Sequence, residues 1–502
     1  MTEPERQAPG FQRQLGLFDA TMLVAGTMIG SGIFAVAGYM ARDVGAAGWF
    51  VLAWILTGIM TLAGALCYAE LASKMPHAGG QYVFLRESLG PTAAFLYGWA
   101  VFLVIQTGSI AAVCVVFASY LGELFPLLGA ENVLFQPGWV LHVTVPVPGS
   151  EQWASVYGPK PFTINASQIV ALVVTLLLTW ANCLGVRMGK WIQNFFTIGK
   201  TTALVVLLVI GLTVAAEDRL LRANFAHLWA DIERTPTYAN ISARLSAGFW
   251  GCSLLVLAAT MTYSLFAADA WNNVTYTAEE VHEPKRTVPL SLILGTGLVV
   301  VLYWLTNIGY VASLSMDQIA KAPDNRVAAE VVRKVWPHLG VSFLSVAIMV
   351  STFGCANGMI LMGARLYYAM ARDGLFFASA GQLNRHKVPG VALWMQGIWA
   401  GLLIFSGSYD ELLEYAMFAA LLFYVLTVIG LCRLRSQNST THAHFSVPGY
   451  PWLPLGYLAM CVFVMAGLVV VKPIYSGAGL LLILAGWPVY YYWRGKASVT
   501  AR

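Results

Sequence analysis

Long apolar runs, each bounded by a short polar stretch, repeat along the whole of this 502-residue chain. A helix that crosses a bilayer needs about 20 mostly apolar residues. By that measure the pattern predicts twelve spans, at 17–40, 47–72, 93–124, 166–186, 191–215, 248–277, 288–313, 341–364, 389–407, 411–432, 452–471 and 476–493. Two of these runs are not written as simple helices. The first holds VAGTMIGSGIF (Val24–Phe34), with Gly26, Gly30, Ser31 and Gly32 inside seven residues, although each Gly costs a helix interior roughly 1 kcal/mol relative to Ala. The sixth holds YSLFAADAWNNVTYTAEE (Tyr263–Glu280), in which Asp269, Asn272 and Asn273 interrupt the second half.

Composition turns the span pattern into a membrane protein. Hydrophobic residues make up 58% of the chain and charged ones 11%, with mean hydropathy +0.68, against about 25% charged in soluble domains. The polar, mixed-charge start MTEPERQAPGFQRQLG has no apolar run ending in a small-residue cleavage site, so no signal peptide is expected. Connections between spans alternate in cationic content. With both termini in the cytoplasm of an inner (cytoplasmic) membrane, 17 of the 29 Lys and Arg residues lie inside, the positive-inside pattern. That pattern absorbs the net charge of +5 and leaves no reason to expect a nucleic-acid partner. All seven cysteines fall in apolar stretches, which argues against a disulfide framework or a cysteine metal site. His442 and His444 sit in a polar connection and read as solvated rather than metal-ligating, so neither metal nor cofactor is expected.

Twelve spans suggest a transporter first, a polytopic sensor second and a membrane-embedded enzyme third. The enzyme reading lacks a reactive constellation: there is no HExxH, no intramembrane His pair and no Ser/His/Asp set at one depth. The sensor stays open, although no soluble signalling domain follows the last span.

The glycines of span one have two readings. Gly26 and Gly30 form a small-xxx-small pair that lets a neighbouring helix approach. Ser31 and Gly32 lie on other faces, which favours an unwound segment whose freed N–H groups, at the positive end of the second half-helix, suit a carboxylate. Span six is the matching second break. Its apolar sequence and the polar stretch run for about 31 residues before the acidic pair, more than one straight crossing needs. Asp269 either meets water at an early helix end or lies near the midplane. At the midplane an ionised Asp costs roughly 2.5–3.5 kcal/mol, a cost that suits ordering unwound backbone or facing an amine. Lys200 lies ten residues, about 15 Å of helix, beyond Lys190. It is too deep to snorkel out, and is either a structural ammonium tied to helix carbonyls or part of the transport machinery. Glu70 and EEVHEPKR (Glu279–Arg286) read as structural, and Arg365 and Arg372 as positive anchors at the inner end of span eight.

GTMIGSGIF, YAELASKMPHAGGQYVFLRESLGPTAAFLYGW, NCLGVRMGKWIQNFFTIGK, FAADAWNNVTYTAEEVHEPKRTVPLSL and STFGCANGMILMGARLYYAMARDGLF together resemble the amino acid–polyamine–organocation superfamily, and within it the L-type amino acid transporter family, in a bacterial-type form. The resemblance implies an all-α polytopic membrane protein of the LeuT type: a 5+5 inverted repeat with two additional C-terminal helices. Its parts would be a cytoplasmic tail at 1–14, a first repeat at 15–215, an extracytoplasmic loop at 216–247, a second repeat at 248–435, the last two helices at 451–493 and a tail at 494–502. It implies sodium-independent alternating-access transport of neutral L-amino acids, as an exchanger, with a proton-coupled symporter and a transport-incompetent sensor as rivals. Substrate would lie against Met28, Ile29, Gly30, Ser31, Gly32, Phe266, Ala267 and Asp269, with Phe266 as the gate. Lys200 would stand where sodium-coupled relatives hold an ion between spans one and eight, with Ser351 and Thr352 as partners, or would carry a coupling proton. The aromatic and the Gly that flank the Asp in many bacterial relatives are Ala268 and Ala270 here. The loop Phe125–Asn165 has no Cys, whereas the animal members that pair with a single-span glycoprotein use one there for a disulfide, so no disulfide-linked heavy subunit is expected. A monomer or weak homo-oligomer in the bilayer is.

Overall fold

In a bilayer every backbone N–H and C=O must find a partner within the protein, so apolar runs of this length resolve into helices. The computed structural model describes residues 10–146, 153–214, 217–226, 228–337, 340–406, 409–437 and 444–500; His442 lies outside them. Eleven described helices are long and apolar enough to cross a membrane. The ninth expected span is the shorter apolar helix Gly390–Ile404. The others are Leu17–Val44, Ala47–Lys74, Pro91–Leu124, Ala166–Cys183, Val186–Val214, Gly248–Glu280, Pro284–Ser313, Ser342–Arg372, Ala416–Gln437, Trp452–Val471 and Pro473–Gly495, numbered below as spans in chain order. Span one is two helices, Leu17–Met28 and Gly32–Val44. Span six is an α-helix, Gly248–Ala267, followed by a tighter 3-10 stretch, Trp271–Glu280. The connection after span three also folds: β1 (Val133–Phe135) pairs antiparallel with β4 (Ile164–Asn165), and β2 (Val140–Pro146) with β3 (Trp153–Pro161).

Burial shows what surrounds what. The apolar stretch of span one is 83% buried, against 28% for span twelve, so the broken spans form the centre and the C-terminal pair the periphery. Within the centre, the would-be Cβ of Gly26 runs into Gln193 and Thr197 of span five, so Gly26 is indeed a packing glycine.

The face that carries the N-terminal segment is tied by buried charge. Glu280 ends the broken sixth span and pairs with Arg365 of span eight through two bonds, Nε to Oε2 at 3.1 Å and Nη2 to Oε1 at 3.0 Å, with both side chains buried. Arg365 is therefore not the interfacial anchor its position suggests; an unpaired carboxylate at Glu280 in this interior would be too costly. The Glu280 carbonyl accepts from the N–H groups of Gln14 and Leu15, and His282 N–H donates to Leu15. Glu279 accepts from Ala78 N–H at 3.2 Å, so the acidic pair clasps the neighbouring loops. Glu70, also buried, is held by Lys74, Arg435 and the N–H of Val447, a structural role. Removing one member of a buried pair costs about 3–5 kcal/mol. Arg365→Met should accordingly lower the melting temperature in detergent by several degrees, and adding Glu280→Leu should recover much of the loss. An equal or larger drop in the double variant would contradict this account.

Candidate functional site

The helix of span one stops at Met28 and restarts at Gly32, leaving carbonyls and N–H groups that no regular helix bond satisfies. The carbonyls are taken up by three neighbours. Lys200 of span five is fully buried, and its ammonium donates to the carbonyls of Gly26, Ile29 (2.8 Å) and Ser351 (3.2 Å). The Ser351 hydroxyl lies 3.1 Å from both the Ile29 and the Gly30 carbonyl. Cys355 Sγ donates to the Thr27 carbonyl at 3.0 Å. Thr352 takes no part, since its hydroxyl bonds back to Ile348 and Met349 in its own helix.

The N–H side differs from the simplest broken-helix picture. Gly30 N–H is not bare: it donates to the Met28 carbonyl at 2.9 Å in a tight local turn. The start of the second half-helix is thus left to Ser31 and Gly32. The Ser31 hydroxyl is buried and has no hydrogen-bond partner among the described residues, and a buried polar group without a partner calls for an explanation.

The second break closes against the first. A Cβ on Gly32 would stand 2.7 Å from the Cα of Ala267, so only glycine lets the two interrupted helices meet there. Ala270, where many bacterial relatives have Gly, sits at φ +65°, a left-handed conformation that costs an L-residue about 1–2 kcal/mol. The Tyr303 hydroxyl of span seven lies 2.9 Å from the Met28 carbonyl and 3.2 Å from that of Ala267, and its single proton can serve one of them at a time. Asp269, partly buried, lies on the wall of the cavity beside the break and accepts from the Tyr424 hydroxyl at 2.5 Å.

Met28, Gly30, Ser31, Gly32, Phe266, Ala267 and Asp269 line one narrow cavity. Ile29 does not, because its carbonyl turns away to Lys200 and Ser351. Ile105, Val113 and Met359 add apolar wall, and Gln106, Ser109 and Asn273 add uncharged polar groups. Beyond the break, the Tyr97 and Tyr276 hydroxyls meet at 2.5 Å and Asn272 donates to Gln81 at 2.8 Å. Sequence reasoning missed Tyr303, Cys355 and Tyr424. Tyr303 and Tyr424 stand in apolar runs with no local irregularity, and Cys355 stands among the small and polar residues of STFGCANG, which do not mark what it meets, so only the packing of distant spans reveals these contacts.

The Amino acid permease family matches this chain over residues 15–492. Among curated proteins it is similar to the human b(0,+)-type amino acid transporter 1, at 28% identity over 97% of this chain and 89% of that protein. It is also similar to the mouse large neutral amino acids transporter small subunit 2, at 28% identity over 99% of this chain and 85% of that protein. With a match that spans nearly all of its membrane helices, the chain belongs to the amino acid permease family, whose members are transporters and not enzymes.

Proposed function

We propose that this protein exchanges neutral L-amino acids across a cytoplasmic membrane, without sodium, by alternating access around the two breaks. The observation that carries the reading is the Ser31 hydroxyl, buried and unpartnered among the described residues, at the helix start that lines the cavity. A substrate carboxylate there meets that hydroxyl and the N–H groups of Ser31 and Gly32, at the positive end of the half-helix. The substrate ammonium meets the carbonyls of Phe266, which accepts from Asp269 N–H, and of Met28, which accepts from Gly30 N–H and gains a lone pair for the ammonium when the Tyr303 hydroxyl turns to Ala267. Neutral side chains suit a wall of Ile105, Val113 and Met359 beside uncharged Gln106, Ser109 and Asn273. Both termini are assigned to the cytoplasm from the distribution of Lys and Arg, and a covalent second subunit is not invoked because the loop Phe125–Asn165 offers no Cys.

Counterflow in proteoliposomes with a panel of labelled amino acids tests this. Uptake of leucine-like and alanine-like substrates, stimulated by internal substrate, is the expected result. Uptake confined to arginine and lysine overturns the neutral assignment, and uptake driven by a pH gradient alone replaces exchange by proton symport. Binding without any flux makes the protein a sensor. Phe266, half-buried on the cavity wall, is assigned the cover of the occupied site. Phe266→Ala should raise the apparent KM about tenfold, the equivalent of losing most of one buried aromatic contact, and should admit a leak. Unchanged KM and tight coupling would remove Phe266 from the gate.

A further inference from the structure

The two outer half-helices, Gly32–Val44 and Gly248–Ala267, run antiparallel from the close approach of Gly32 and Ala267 toward the face opposite the N-terminal segment. There the rings of Tyr39 and Tyr263 stack across the seam, centroids 5.4 Å apart at 16°. One end of the stack is held by Arg42, whose guanidinium lies 4.8 Å from the Tyr39 ring while donating to the Ala320 carbonyl at 2.8 Å and to Asn325 Oδ1 at 2.6 Å. The other end is held by Lys472, whose ammonium donates to the Tyr263 hydroxyl at 3.0 Å and lies 4.7 Å from the ring centroid. Just beyond the stack Asp43 accepts from Thr237 and Thr260, and the charges of Lys472 and Arg42 both act on it. The row Asn325–Arg42–Tyr39–Tyr263–Lys472 thus crosses the closed mouth from one side to the other.

Lys472 is the unexpected member. It occupies the turn between spans eleven and twelve, which lie outside both five-span halves and at the rim of the bundle. We infer that Lys472 is the latch through which the C-terminal pair of spans holds this mouth shut. The inference rests on the alternating-access reading above, because a latch matters only if the mouth opens. When the two half-helices part, Tyr263 leaves either Tyr39 or Lys472. A charge-assisted bond of this kind, set against an aromatic face, biases the equilibrium toward the closed arrangement. The outer pair of helices then tunes how often the cavity faces that side, without touching the substrate.

Cys355 provides the readout, since it lines the cavity and is buried. In purified full-length protein in nanodiscs, its labelling by a bulky maleimide is followed by peptide mass spectrometry, which separates it from the six other cysteines. Lys472→Met should speed labelling of Cys355 by about tenfold, the population shift that follows from losing one hydrogen bond to a charged group. Lys472→Arg should stay near the native rate. Tyr263→Phe keeps the stack, the ring face under Lys472 and its charge beside Asp43 and loses only the hydroxyl bond, so it should speed labelling less than Lys472→Met, and the two together should add little beyond Lys472→Met alone. A native labelling rate in Lys472→Met, or full additivity with Tyr263→Phe, overturns the latch. The measurement needs no transported substrate, so it fails or succeeds independently of the amino acid assignment.

Discussion

Uptake by proteoliposomes carrying Lys200→Met should fall by about a hundredfold while the variant still assembles, a loss that follows from leaving the buried Gly26 carbonyl without its ammonium donor and the Ile29 carbonyl with only the shared Ser351 hydroxyl. The native protein, in contrast, should keep its rate when choline replaces sodium. Both outcomes follow from one arrangement. The break in span one frees the carbonyls of Gly26 and Ile29, and Lys200 reaches across from span five to meet them together with Ser351. On the proposed reading, an ammonium tethered in this place does for the unwound backbone what an ion from solution would otherwise have to do, and none need be bound in each cycle. No carboxylate pairs with Lys200 among the described residues. Methionine therefore removes a buried charge without orphaning an opposite one, which is why assembly survives. The Gly26 carbonyl, however, loses its ammonium donor and the Ile29 carbonyl keeps only the shared Ser351 hydroxyl, so the break loses its geometry. Strict dependence on sodium would refute the tethered-ammonium account outright. So would a Lys200→Met protein that transports at the native rate.

The spans were legible because hydropathy over about 20 residues reports directly on what a bilayer demands. The breaks were legible because glycines and carboxamides are expensive in such helices, so that their clustering stands out. What could not be read was where each freed group goes. Gly30 was expected to offer its N–H to a ligand, yet the chain turns tightly enough for Met28 to accept it, a matter of local dihedral angles with no sequence mark. Ser351 and Thr352 are adjacent and chemically alike, but a helix points them in different directions, and only Ser351 faces the break. Arg365 looked like a positive anchor because charge at the end of a span usually meets headgroups; its partner Glu280 is 85 residues away. The strands after span three follow from pairing within the connection, which carries no membrane-spanning signal to mark it.

Among single methyl additions, Gly32→Ala should be the most damaging in the break, and the comparison with its neighbours separates packing from binding. A Cβ at Gly32 would meet Ala267 at 2.7 Å from Cα and 2.8 Å from Cβ, and a helix backbone cannot step aside as a side-chain tip can. The two broken spans must move apart, at a cost of about 1–3 kcal/mol, and Gly32→Ala should lose both thermal stability and measurable amino acid binding. At Gly30 the same methyl would meet only the Cys355 side chain, with Sγ at 3.0 Å. Gly30→Ala should therefore be milder, and Cys355→Ala in the same chain should restore part of its function. Ser31→Ala is the decisive member, because it adds no atom and removes a hydroxyl that bonds to nothing else among the described residues. If that hydroxyl awaits a carboxylate, its loss should weaken binding about tenfold, the worth of one hydrogen bond to a charged acceptor, with melting temperature unchanged or slightly raised. Titration calorimetry of each variant with an amino acid and with its decarboxylated amine reads the difference directly. The amine should bind the native protein poorly, and Ser31→Ala should leave that weak affinity where it was. Native affinity for the amino acid in Ser31→Ala, with lowered stability, would make the hydroxyl a packing group and move the carboxylate elsewhere in the cavity.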